Sequence, residues 1–210
     1  MKKTISYLSV MALMFCFLGG NAEAISIDFR DSTFEPFLPA EENSLDRTVG
    51  DINLSITAGP QEALLYWDNT DGFGVQYAYE NDEIEGLEEF LRVSFSESVY
   101  LSGFFVTDLF ADDHNEGYDE YGWYSINGGP NVEIWADPNQ TPGTNGELFV
   151  EVGAEVNYIV FGAPGLIDGY DHEFSVGGVN ITSVPEPATL LLLGSGLIGL
   201  VVFRRKLRKS

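Results

Sequence analysis

Between residues 25 and 183, apolar side chains recur at every second position, in runs too short for anything but strands. Ile25-x-Ile27-x-Phe29, Ile52-x-Leu54-x-Ile56, Leu91-x-Val93-x-Phe95, Val132-x-Ile134, Leu148-x-Val150-x-Val152 and Phe174-x-Val176 all follow this rule. Successive side chains of a strand point to opposite faces, so each run offers one face to a core and the other to water. Residues 64–67, 75–79, 99–106 and 158–161 are further apolar runs. Asp71-Gly72, Asn127-Gly128, Asn145-Gly146 and Asp168-Gly169 supply turns between them. Ser96-Glu97-Ser98 joins two runs and reads as a hairpin loop. Ile84, Leu87 and Leu91 have helical spacing, but Gly86 interrupts it, which leaves a short turn at most. The pattern predicts an all-β body: an antiparallel β-sandwich of jelly-roll-like kind, with a closed barrel as the alternative. No long helix is expected before residue 188, and the span suits one domain with a sizeable core.

The two ends differ from the body. Lys2 and Lys3 precede an apolar stretch at 5–18, and Ala22-Glu23-Ala24 follows. A basic start, a short apolar core and an A-x-A site make residues 1–24 a signal peptide, with cleavage expected after Ala24. At the other end, residues 188–203 carry no charge and are apolar all round, unlike a core helix with its single stripe. As a helix they would span roughly 24 Å against about 30 Å of hydrocarbon, short but within reach of a membrane crossing. Arg204, Arg205 and Lys206, with Arg208 and Lys209 behind them, then form a cytoplasmic membrane stop. Gly194-Ser195-Gly196-Leu197-Ile198-Gly199 matches G-x-G-x-x-G, but it lies inside this run and outside any βαβ unit, so it does not mark a dinucleotide site.

Val184-Pro185-Glu186-Pro187, the apolar run and the basic cluster, in that order, resemble the PEP-CTERM sorting signal of Gram-negative bacteria. The resemblance covers residues 184–209 and implies handling by an exosortase-type transpeptidase, with Pro185, Glu186 and Pro187 as the sorting and cleavage motif. It further implies a membrane-anchored precursor, then a place at the cell surface or in an exopolysaccharide-rich biofilm matrix. Two prolines in three residues also keep that segment extended and open to processing.

Charge narrows what the body can do. Of its charged residues, three are cations (Arg30, Arg47 and Arg92) and 31 are acids, a formal charge of −28. Phosphate contacts need cations, so nucleic acid is excluded as a partner. Carboxylate oxygens suit Ca²⁺, and bound cations would relieve the self-repulsion. The single cysteine, Cys16, lies in the signal segment, so the mature body has neither thiol chemistry nor disulfides.

The densest chemistry falls at 108–124, read as a loop after an apolar strand. Asp112, Asp113, Glu116, Asp119 and Glu120 crowd it and form the candidate Ca²⁺ loop, although the EF-hand spacing fails. Asp68-Asn69-Thr70-Asp71-Gly72 is a smaller candidate of the same kind. Tyr121, Trp123 and Tyr124 in the same stretch are candidates for stacking on sugar rings, with carboxylates accepting from sugar hydroxyls. His114 and His172 lack zinc-ligand spacing and read as exposed turn residues. No G-x-S-x-G elbow occurs, and paired carboxylates are uninformative among so many acids. The reading is an exported envelope or matrix protein that acts by structure or binding and is not an enzyme. The alternative is a Ca²⁺-assisted carbohydrate-binding module for exopolysaccharide, and a hydrolase comes third.

Overall fold

The alternating runs form strands. The computed structural model describes residues 24–35, 42–77, 83–86, 88–111, 118–140, 145–167 and 171–183, all within one unit, Ala24–Ser183. The signal segment before Ala24, the sorting tail with its expected helix, Tyr79, Leu87 and the Asp168-Gly169 turn lie outside the described residues. Among the described residues the elements, in order, are β1 (Ala24–Asp28), a 3₁₀ turn (Ser32–Phe34), β2 (Ser44–Val49), β3 (Ile52–Gly59), β4 (Leu64–Asp68), β5 (Gly72–Gln76), β6 (Ile84–Glu85), β7 (Phe90–Thr107), β8 (Tyr121–Ile126), β9 (Val132–Trp135), β10 (Leu148–Gly162) and β11 (Glu173–Ser183). Alternation shows directly in β3, where Ile52, Leu54, Ile56 and Ala58 are buried and Asn53 is exposed. No described helix is long and apolar enough to cross a membrane.

Every strand pairing is antiparallel, and the sheet runs β4-β5-β11-β7-β10-β8-β9. Strands β4 and β9 end that path, so among the described residues the sheet does not close into a barrel. It curls instead, and two rings show how far. Phe104 lies opposite Val150 on β10, eleven residues before Phe161 on the same strand. A flat ladder would hold the two roughly 36 Å apart at about 3.3 Å per residue. Their ring centroids are 5.0 Å apart. Strands β7 and β10 must therefore fold over and run through two facing layers.

The crease is visible in the register. Along β7, residues 90–95 pair with β3 and residues 99–107 pair with β11. Opposite them on β10, Tyr158 faces Ser94 and Val156 faces Val99, so residues 95–98 oppose only Asn157. Asn127 Oδ1 accepts from the Asn157 and Tyr158 amides at 2.8 and 3.2 Å and satisfies the irregular turn of chain there. The hairpin loop expected at Ser96-Glu97-Ser98 is thus corrected. Those residues stay inside β7, and their polar side chains reflect exposure at the crease.

One layer holds β4, β5, β11, β1 and the adjoining parts of β7 and β10. The other holds β2, β3, β8, β9 and the remaining parts. Between them sit Phe104, Tyr124 and Phe161 in edge-to-face contact. Phe174 of β11 reaches across to β8, where a methyl on Gly122 would stand 2.2 Å from its ring. The end of the molecule away from the crease, the mouth, is where β7 and β8 meet the loops after Thr107 and before Glu173. Of the three body cations, Arg30 pairs with Asp28 and Glu147, Arg47 donates to carbonyls of Thr33, Glu35 and Asp46, and Arg92 lies 3.8 Å over the Tyr158 ring.

Candidate functional site

Alternation decides which side chains of β8 and β9 face outward. Gly122, Tyr124 and Ile134 are buried, so Tyr121, Trp123, Glu133 and Trp135 project from the opposite face. Register sets Tyr121 against Trp135 and Trp123 against Glu133. The Ala136 amide donates to the Glu120 carbonyl at 3.0 Å. That makes the next row, Tyr121 with Trp135, the non-hydrogen-bonded kind in which facing side chains approach most closely. The two rings stack with centroids 4.4 Å apart and planes 17° from parallel. Trp135 Nε1 also donates to Glu133 Oε2 at 3.0 Å. An indole held at one face and at its N–H has little freedom left to lose on binding. Yet Trp135 is 51 % exposed. Trp123 completes the surface, lying across its register partner Gly162.

The platform is braced from behind by His172. Among the described residues the β8–β10 ladder stops at the Trp123–Gly162 pair, so the Tyr121 amide has no ladder partner on the β10 side. His172, one residue before β11, supplies one: its Nδ1 accepts from Tyr121 N at 3.3 Å. Its ring packs against Tyr121 and Tyr118 at 4.5 and 5.9 Å. Burial pushes the imidazole pKa below its usual 6.5, against the opposing pull of the Asp171 charge, so the ring is neutral at pH 7. The expectation of an exposed turn histidine is corrected: His172 is buried.

The acidic stretch divides. Asp112, Asp113 and Glu116, with His114, lie outside the described residues. Asp119 is exposed and bridges Ala111 through its backbone. Glu120 is buried; its Oε2 accepts from Phe110 N at 2.6 Å while its own amide donates to Phe110 O. It pins the segment after β7, and that oxygen faces inward, away from a solvent-side loop. Among the described residues no group of three or more His, Cys, Asp or Glu could hold a metal ion. In the smaller acidic candidate, Asp68 Oδ1 accepts from the Thr70 and Asp71 amides and closes the β4–β5 turn. Burial pushes the Asp71 carboxyl above the usual carboxylate value; a hydrogen bond with Asp108 opposes this and the Asp68 charge adds to it.

Of the three aromatics expected to stack on sugar, the structure keeps Tyr121 and Trp123 on the outer face. Tyr124 is corrected: it is buried against Phe104, because it sits one residue out of phase with the others. Tyr121 through Tyr124 also belong to a strand and not to the loop that was expected. Sequence reading missed Trp135 and Glu133. The signal was present, since Val132-x-Ile134 turned inward at Ile134 places the neighbours of Ile134 outward. A separate groove of about 520 Å³, lined by Asp46, Arg47, Thr48, Asn53, Ser55 and Ser94 among others, lies over β2, β3 and β7. Its one aromatic lining residue, Phe95, is buried in the core, so the platform, with Trp135 half exposed, carries the stronger chemical signal.

The PEP-CTERM protein-sorting motif matches residues 183–206. It implies export and a cell-surface or extracellular location. No curated protein matches the chain. Among solved structures, a family 35 carbohydrate binding module from Clostridium thermocellum is similar at 22 % identity, over 61 % of this chain and 92 % of that one, with a TM-score of 0.37. A likeness of that size carries no weight for the ligand of this body.

Proposed function

We propose that this is an exported surface protein whose body binds an extracellular polysaccharide on the Tyr121–Trp123–Trp135 platform. The observation that carries this reading is Trp135: an indole stacked on Tyr121, hydrogen-bonded to Glu133 and half open to solvent. Sugar rings present apolar C–H faces that stack on aromatic rings, while carboxylates accept from their hydroxyls. Exposed Asp119 and Glu133 are placed for that second task. A body at −28 repels polyanions. The favoured ligands are therefore neutral polysaccharides, with uronic-acid polymers disfavoured unless divalent cations bridge them. The body acts by binding without turnover, and exosortase-type processing of the tail delivers it to the surface.

A glycan array probed with the body, with and without EDTA, tests this. Retention of neutral polymers that Trp135→Ala abolishes is the expected result. An array on which the native body retains nothing would leave a purely structural matrix role. Release of reducing sugar would restore the hydrolase.

A further inference from the structure

Strand parity puts the platform and the groove over β2, β3 and β7 on one outer face. Trp123 lies across Gly162 of β10, and the positions of β10 on that same side continue as Val160 and Tyr158. Val160 pairs with Arg92 of β7, and Tyr158 pairs with Ser94. Arg92 and Ser94 pair in turn with Thr57 and Ser55 of β3, and Ser55 pairs with Asp46 of β2. The alternate positions Ile159, Val93 and Ile56 are buried, so the face never switches along this series of pairs. Asp46, Ser55 and Ser94 line the groove. The strands β2-β3-β7-β10-β8-β9 therefore present one continuous surface. Its five spacings of about 4.8 Å give a width of roughly 24 Å from Asp46 to Trp135.

The two ends of this surface differ in chemistry. The platform offers rings, whereas Thr48, Asn53, Ser55, Ser94 and Ser96 give the groove short neutral groups that both donate and accept, and Asp46 accepts. An apolar ligand would strip water from these groups without replacing its hydrogen bonds. A polyanion would meet Asp46 and the charge of the body. A run of sugar hydroxyls matches them. Arg92 stands between the two ends. Its Nε donates to Ser94 Oγ at 3.0 Å and its guanidinium lies 3.8 Å over the Tyr158 ring. Among the described residues no carboxylate pairs with it, so its terminal nitrogens can donate to a ligand. We infer that the groove is a second subsite for the polysaccharide held by the platform. The body then binds the interior of a linear neutral chain laid across six strands, and not a chain end or a single sugar. This rests on the platform reading for the identity of the polymer.

The test is calorimetric titration of the full chain, in a zwitterionic detergent free of sugar groups. The probes are disaccharides and long oligosaccharides prepared from dextran, laminarin and galactomannan. For at least one source, the long oligosaccharide should bind the native chain at least about tenfold more tightly than its disaccharide, because the second contact is made within one complex. Asp46→Ala with Ser55→Ala and Ser96→Ala should erase most of that gain and leave disaccharide affinity within about twofold, since the hydrogen bonds lost lie only in the groove. Trp135→Ala should weaken both probes. Asp46 and Ser96 are exposed, so the double variant at these two positions keeps the test if Ser55→Ala unsettles the sheet. Equal affinity for long and short probes, or an undiminished gain in the groove variants, overturns the second subsite and leaves the platform standing. Binding of no probe by the native chain counts against the platform itself, and the subsite falls with it.

Discussion

Trp123 lies across the backbone of Gly162, so close that a single added methyl would come within 2.2 Å of the indole Cζ2. The contact joins β8 to β10 in the layer that bears the platform. Gly162→Ala should force the indole out of place and cost about 1–3 kcal/mol, as overpacking does. In a body of this size that is a fall in Tm of several degrees. Trp123→Ala in the same chain removes the clash, so the double variant should be more stable than the sum of the two single effects predicts. Thermal melts of the four proteins decide the matter; strict additivity would mean the two residues do not meet.

The His172 ring makes stability depend on mild acid. Its folded-state pKa lies below the unfolded value of 6.5. Stability gained by keeping it neutral is therefore complete above pH 6.5 and is lost as pH falls through the folded value. Urea midpoints measured from pH 7.5 down to pH 5 should decline in the native chain and decline less in His172→Gln, which keeps an acceptor for the Tyr121 amide. Parallel curves for the two would show that another group is responsible.

Asp71 has the opposite sign. Its folded-state carboxyl titrates above the unfolded value of 3.8, mainly through burial. Its contribution is intact below pH 3.8 and is lost as pH rises through the folded value, so at neutral pH the charge works against the fold. Asp71 Oδ1 is buried without a hydrogen-bond partner, and the bonds made by its backbone amide and carbonyl survive substitution. Asp71→Asn should raise Tm at pH 7, and the gain should shrink toward pH 3.8. A loss of stability at pH 7 would show that Asp108 or Asp68 depends on the Asp71 charge.

Calcium should stabilise the body beyond simple screening. Extracellular Ca²⁺ modules typically bind at about 10⁻⁴ to 10⁻³ M, so millimolar Ca²⁺ should raise Tm by a few degrees. Asp112→Asn with Asp113→Asn should reduce the gain if their loop holds the ion. Matching shifts from Ca²⁺, Mg²⁺ and NaCl at equal ionic strength would reduce the effect to screening of −28.

Period-two alternation located the strands but not their extent. Residues 91–95 and 99–106 read as two strands because Ser96-Glu97-Ser98 has the polarity of a turn, and nothing local distinguishes a turn from an exposed crease in one long strand. Strand β8 was hidden for a related reason. Gly122 looks like a loop residue until Phe174, some fifty positions later, is seen lying against it. The platform was half legible. Tyr121 and Trp123 stood out by type, while Trp135 needed the register that brings it onto Tyr121. Burial of His172 and Glu120 is purely tertiary. Each side chain satisfies a backbone amide left unpaired where a strand ends, and no sequence pattern announces such a gap.

The pairing of β1 with β11 also governs when the body can fold. Ile25 sits opposite Ile181, so the first strand made finds its partner only when nearly the last residue of the body has been synthesised. Contacts this distant in sequence carry a large loop-closure entropy and slow the search for the native state. A chain threaded through a membrane N-terminus first cannot close this ladder until the body, to about Thr182, is across. In such a passage the polypeptide stays open, and the sheet closes on the far side.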